Sequence, residues 1–400
     1  MHAISFLPRQ ALLAAAASGA LFGAAAQPLP SVALEPVWPK LKLACPVALE
    51  EIPDDSGRYL IAERSGRVWL VEEDTDGGDA SLFLDLSDRW PVPPSNGEGL
   101  LGLCCHPKFK QNGHFYLCAT RQNPRRVVLS EISVRRKPPH QADPGAERVL
   151  LEIPLPPCAP AGGQVCFGPD GFLYLAVGDR PAADTTSSGA QDPTCLRGKI
   201  LRLDVDTRSG ALPYGIPPDN PFAGRDTGAR KEIFAWGLRD VGGMSWDRQT
   251  GDLWAGIRGR EWEGVALIRK GGNYGWPFRD GFHRRAPAPA GTRCSPLLVE
   301  APHTPALAGK ALFPGHGLGA RIVGGHVYRG QEQRGLRGLY LYADGALGTL
   351  FGLRYGDGRV LQYGILLEQP RPILGFAQDS YGELYVLMAG APVMRIVEAK

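Results

Sequence analysis

The sequence predicts an all-β fold, a six-bladed β-propeller, and three observations carry that expectation. Gly 52 and Pro 36 in 400 residues leave little room for helices and favour short strands joined by turns. One pattern recurs, in which turn residues and a glycine lead into alternating apolar and aromatic residues. It reads "DDSGRYLIAE" (54–63), "QNGHFYLCAT" (111–120), "GPDGFLYLAV" (168–177), "RQTGDLWAGI" (248–257), "GLRGLYLYAD" (335–344) and "DSYGELYVLM" (379–388). The six copies stand about 45 to 90 residues apart, the scale of one propeller blade. Six turn-and-strand units predict six four-stranded blades around a channel. A pair of β-sandwiches, which also repeats such units, is the alternative.

In chain order, residues 1–26 come first. Arg9 precedes the apolar run "ALLAAAASGALFGAAA", which ends in an A-x-A site at Ala26. That is the form of a secretory signal peptide, with a membrane anchor as the alternative. The mature chain is expected to be exported, periplasmic or secreted. Residues 27–400 are expected to be a single propeller. "SVRRKPPHQADPGAER" (133–148) and "RRAPAPAGTR" (284–293) read as surface loops. No later segment approaches the ~18 apolar residues of a membrane span. The net charge of +3 gives no reason to expect nucleic acid or an anionic membrane as partner.

All eight cysteines (Cys45, Cys104, Cys105, Cys118, Cys158, Cys166, Cys195 and Cys294) follow the leader. Their spacing fits no zinc or haem motif. Cys158 and Cys166 have the spacing to close a small loop; buried free thiols are the alternative.

Four stretches carry candidate chemistry. In "PAGGQVCFGPDGFLYL" (160–175), Gly162 and Gly163 permit close approach to the backbone, while Pro160 and Ala161 have no proton to exchange. The stretch 178–207 holds Asp179, Asp184, Asp192, Asp204 and Asp206, oxygen donors of the kind calcium takes. Turn formation is the other reading of these aspartates. "EIFAWGLRDVGGMSWD" (232–247) sets Arg239 at a strand end, where its fork suits an anion or a surface salt bridge. "KGGNYGWP" (270–277) reads as a structural corner. No Gly-x-Ser-x-Gly, Walker loop, dinucleotide fingerprint or His-Glu-x-x-His is present. His106, His114, His303, His316 and His326 are scattered.

Nine stretches in order, among them "EGLLGLCCHPKFKQNGHFYL" (98–117), "GGQVCFGPDGFLYLAVGD" (162–179), "QDPTCLRGKILRLDVDT" (191–207), "EIFAWGLRD" (232–240) and "GLYLYADGALGTLFGL" (338–353), resemble the pyrroloquinoline-quinone (PQQ)-dependent glucose/sorbosone (aldose sugar) dehydrogenases. The hedgehog-interacting-protein-like proteins share that domain. The resemblance implies a six-bladed propeller that oxidises a sugar or alcohol. Hydride passes to a calcium-bound PQQ, a histidine serves as general base, and an electron acceptor follows. Arginine and lysine partners are implied for the carboxylates of the cofactor.

Residue by residue, the reactive shell departs from that pattern. The family's His-Asn-Gly-Gly reads Pro160-Ala161-Gly162-Gly163, so the base and its amide are missing. Its Arg-Asn-Pro reads Arg239-Asp240-Val241. Its Asp-Val-Gly-Gln loop is shortened to "GIRGR" (256–260), which brings in Arg258 and Arg260. A common tyrosine is His326, and Asp344 matches a family aspartate. The candidate site is therefore Gly162, Gly163, Arg239, Asp240, Arg258, Arg321 and Asp344 around the cofactor. Arg239, His316 and His326 are the candidates for catalysis, and no metal ligand is assigned. A non-catalytic propeller that binds a carbohydrate or a protein is the alternative function.

Overall fold

The computed structural model describes residues 28–90, 97–134, 141–156, 162–179, 189–302 and 321–399. The leader, Cys158, Pro160, Ala161, Asp184, His303 and His316 lie outside the described residues. Six four-stranded antiparallel sheets follow one another around a ring. Blade 1 runs from Pro46–Glu51 to Ser81–Asp85, blade 2 from Leu100–Cys105 to Arg148–Pro154, and blade 3 from Gly162–Phe167 to Ile233–Trp236. Blade 4 runs from Val241–Trp246 to Val299–Pro302 and blade 5 from Ile322–Val327 to Arg359–Leu367. Blade 6 uses Ile373–Gln378, Leu384–Met388 and Val393–Glu398, and takes its outer strand, Val32–Val37, from the start of the described chain. Val32 pairs with Glu398 and Val37 with Val393, so the ring is closed by backbone hydrogen bonds between the two ends.

Each copy of the sequence repeat enters the second strand of one blade: Arg58–Glu63, His114–Arg121, Leu173–Val177, Leu253–Ile257, Leu339–Asp344 and Leu384–Met388. Polar residues in it or just before it cap the preceding turn. Asp54, Asn112, Asp170 and Asp247 each accept the backbone N–H two residues on, the Asx geometry that makes these residues good turn formers. The strands read as nearly continuous apolar runs because both of their faces are covered. Leu60 and Ala62 pack towards blade 2, while Tyr59 and Ile61 pack towards blade 6. Six apolar layers result, one between each pair of neighbouring blades. Among the described residues no helix is long and apolar enough to cross a membrane.

The inner strands crowd around the axis. Each of the six slips register against its second strand, and such bulges add the local twist that a tight ring needs. Glycines sit at five of the slips, and the sixth, in blade 1, falls at Pro46–Ala48. Gly162 and Gly163 take φ of 70° and 91°, the left-handed region that side chains rarely enter.

Candidate functional site

The inner strands begin, and the second strands end, at one face of the ring, here the upper end. Arg239 and Asp240 immediately precede the inner strand of blade 4, and Arg258 follows the second strand, Leu253–Ile257. Val241 pairs with Ile257, so the ladder itself brings Asp240 and Arg258 together. The Arg258 backbone N–H donates to the Asp240 carbonyl at 2.9 Å. Its side chain lies over Gly242, where a β-carbon would stand 2.4 Å from Nε. From there Nε donates to the Ile322 carbonyl of blade 5 at 3.0 Å. Arg321 enters from blade 5, one residue before Ile322.

Three of the sequence-predicted residues, Asp240, Arg258 and Arg321, thus meet at the boundary of blades 4 and 5. The buried Asp240 carboxylate lies beneath two guanidiniums, 3.5 Å from Arg258 Nη1 and 3.9 Å from Arg321 Nη1. The arginine side chains keep 21% and 23% exposure against 3% for the aspartate. The acid therefore orders the pair from below. Arg239 is buried, donates Nη1 to the Gly259 carbonyl and sits 5.6 Å from the ring centre of Trp276. Arg285 lies 4.9 Å from the same ring. Asp280, buried, accepts the backbone N–H groups of Arg260 and Glu261 at 2.7–3.1 Å and so shapes the short turn that presents Arg258. Sequence reading passed over Asp280, which sits in a two-residue ladder with no local signal.

Gly162, Gly163 and His326 stand apart from this cluster, and Asp344 lies beside it. Gly162 and Gly163 serve the backbone: a β-carbon on Gly163 would meet Leu101 Cβ at 2.4 Å, and one on Gly162 would meet the Ala176 carbonyl at 2.7 Å. Asp344 ends the second strand of blade 5, opposite Ile322 in the ladder and so beside Arg321, and accepts the N–H groups of Ala346 and Leu347 at 3.0 Å. His326 is four residues along the inner strand from Ile322, about 13 Å further down the channel. Burial, with Arg248 nearby, pushes its imidazole down to about 3, so it stays neutral there.

The described aspartates of 178–207 do not converge. Asp179, buried, donates its N–H to the Arg239 carbonyl at 2.7 Å and accepts from Ala190 N–H at 2.9 Å. Asp192 caps the turn at Thr194. Asp204 and Asp206 lie past the lower end of the third strand of blade 3, Lys199–Leu203, where Asp206 meets His106 and Lys108. At the upper start of that strand is Lys199, which sequence reading also passed over. Its ammonium is buried and donates to the carbonyls of Gly189, Ala190 and Arg197 at 2.6–3.0 Å. Burial brings it down to about 8, yet with three acceptors around it the nitrogen is held as a donor. Cys166 carries a free thiol. Burial pushes the thiols of Cys104, Cys105, Cys118 and Cys166 up, so none is a thiolate at neutral pH.

The donor set decides what this end can hold. Calcium takes six to eight oxygen ligands. Among the described residues no three His, Cys, Asp or Glu side chains gather as a metal set. The Gly259 carbonyl is bound to Arg239, and Asp240 lies under two arginines. These residues do not fit calcium. The arginine edges fit a carboxylate, which a guanidinium fork grips with two parallel hydrogen bonds.

A family model described as Glucose / Sorbosone dehydrogenase matches residues 43–303. The HIPL2 protein of Arabidopsis thaliana is 31% identical over 355 residues, covering 73% of this chain and 49% of its own length. Hedgehog-interacting protein of Mus musculus is 29% identical over 381 residues, covering 86% of this chain and 48% of its own. The chain thus spans about half the length of these curated relatives. A crystal structure of a putative oxidoreductase (glucose dehydrogenase) from Thermus thermophilus matches with a TM-score of 0.69 at 28% identity, over 92% of this chain and 100% of that one.

Proposed function

The chain belongs to the glucose/sorbosone dehydrogenase family, and on that premise we propose that its upper channel mouth binds a carboxylate-bearing carbohydrate, a sugar acid, without the calcium-assisted quinone oxidation of sugars. The observation that carries this reading is the Asp240–Arg258–Arg321 cluster, two partly exposed guanidiniums over a buried acid. The lost His-Asn pair, read here as Pro160-Ala161, and the distance of His326 from the arginines point the same way. A second reading is PQQ-dependent oxidation of a sugar or alcohol with transfer to an external electron acceptor. It rests on Arg239, which the resemblance matches to a cofactor partner. Export of the chain through its leader belongs to both readings.

Isothermal titration with a uronic acid, an aldonic acid and PQQ, each with and without calcium, separates the two. The proposal expects carboxylate binding that is indifferent to calcium and lost in Arg258→Ala, with no aldose-dependent reduction of a dye. Calcium-dependent turnover of an aldose in the presence of PQQ would overturn it in favour of the second reading.

A further inference from the structure

The six blades supply their own internal control for a feature outside the channel. Each sheet ends in an outer strand whose far edge carries backbone groups available to another strand. Five of these edges are blunted. Those of blades 3 and 4 are four residues long, and that of blade 1 is five. Blade 2 places Arg148, Glu152 and Pro154 on its edge, and blade 6 places Glu35 and Pro36. Short length, charge and proline are the usual devices against edge-to-edge pairing.

Blade 5 has none of these three, although its ladder slips register at Leu361 and at Leu366. Its outer strand, Arg359–Leu367, is nine residues long, and no charged residue or proline lies between Val360 and Leu367. It ends its sheet, bonded within the sheet only to Thr349–Gly356 among the described residues. One face is covered, with Leu366 buried in the layer towards blade 6 and Gly364 close to Leu29. The other face shows Leu361, Tyr363 and Ile365 at alternate positions, 44%, 60% and 54% exposed. The strand is also polar in sign from end to end, with Arg359 exposed at its start and Glu368 exposed just past its finish.

We propose that two copies of the chain associate by antiparallel pairing of this strand across a two-fold axis at Tyr363. That arrangement is self-complementary, as a closed dimer requires. Tyr363 meets Tyr363, Leu361 of each copy stands opposite Ile365 of the other, and all six apolar side chains share one face. The ends match as well: Arg359 of one copy comes to Leu367 and the adjoining Glu368 of the other. A parallel partner would instead bring like charges together at both ends. The second copy is thus the occupant that charge and shape select, and the channel mouth of each propeller takes no part in the contact.

Sedimentation velocity over a concentration series tests the pairing in the mature chain. A reversible dimer is expected. Tyr363→Lys and Ile365→Lys, both at exposed positions, give monomers whose thermal unfolding matches the parent. Tyr363→Cys, lying on the axis, forms an intermolecular disulfide on mild oxidation, identified as a 363–363 peptide by mass spectrometry, whereas Leu82→Cys on blade 1 does not. Arg359→Glu loosens the dimer about fivefold, since two exposed ion pairs are lost, and Arg359→Glu with Glu368→Arg restores it. A chain that stays monomeric at every concentration overturns the proposal. So does a dimer that survives both lysine variants, or a Tyr363→Cys variant that fails to cross-link.

Discussion

Gly163 of blade 3 is pressed against Leu101 of blade 2 so closely that a β-carbon on the glycine would stand 2.4 Å from Leu101 Cβ. On the neighbouring residue the same holds in reverse, since a β-carbon on Gly102 would meet the Gly163 carbonyl at 2.5 Å. The glycine pair lets two inner strands meet at the axis. Gly163→Ala is therefore expected to destabilise the fold by about 2–4 kcal/mol, from the left-handed φ and the overpacked contact together. A Leu101→Ala background leaves Leu101 Cβ in place and does not rescue it. Thermal unfolding of the single and double variants measures this; an unchanged midpoint in Gly163→Ala would sink the packing account.

How much of this was legible beforehand depends on the range of the interactions. The six turn-and-strand copies gave the blade count because an Asx-capped turn and a period-2 strand are local devices, as Asp170 and Leu173–Val177 illustrate. Arg239, Asp240, Arg258 and Arg321 were all named from the sequence, yet only the Val241–Ile257 ladder and the blade 4–5 boundary show that Asp240, Arg258 and Arg321 come together. Gly162 and Gly163 were legible as a request for space, but not as space for Leu101, which is about 60 residues away in sequence. Lys199 and Asp280 were invisible for a related reason. Each satisfies backbone groups of another segment, and such bonds leave no periodicity behind.

Asp240 and Arg258 give opposite expectations for ligand binding. Asp240 is the counter-charge beneath Arg258 and Arg321, so Asp240→Asn leaves the mouth one unit more positive. A carboxylate ligand is expected to bind several-fold more tightly to that variant, with a steeper dependence on salt. Arg258→Ala removes the fork and is expected to weaken binding about tenfold or more. Titration calorimetry at two ionic strengths reads both. Equal affinities across parent, Asp240→Asn and Arg258→Ala would place the ligand elsewhere.

Lys199 holds a loop rather than a ligand. Its ammonium serves three buried carbonyls, those of Gly189, Ala190 and Arg197. Lys199→Met keeps the length of the side chain and removes every donor. A cost of about 3 kcal/mol is expected, because the carbonyls then lack partners. Hydrogen exchange is expected to quicken across residues 189–197 before the rest of blade 3. Uniform loss of protection over all six blades would mean that the lysine supports the ring and not this loop.

Glu50 makes stability depend on pH in a direction opposite to that of a salt-bridged acid. It lies near the lower end of the inner strand of blade 1, where its carboxylate accepts the Cys105 N–H at 3.3 Å. Burial pushes it up to about 7, against the smaller pull of that hydrogen bond and of Arg248, with Glu51 adding a slight push upward. The folded state therefore binds the proton more tightly than the unfolded chain, whose value is about 4.5. Stability from this group is fully present below pH 4.5 and is lost as pH rises to 7, after which the loss is constant. Glu50→Gln keeps the shape and removes the titration. The variant is expected to match the parent near pH 4.5 and to exceed it by on the order of 2 kcal/mol at pH 8. His326, held down at about 3, contributes the reverse slope, losing stability as pH falls below its unfolded value of about 6.5. It does so equally in both proteins, so the difference between them isolates Glu50. Denaturant melts of parent and variant at pH 4.5, 6 and 8 give that difference directly. A gap that is constant with pH, or largest in acid, would show that Glu50 is ionised in the folded protein throughout the range.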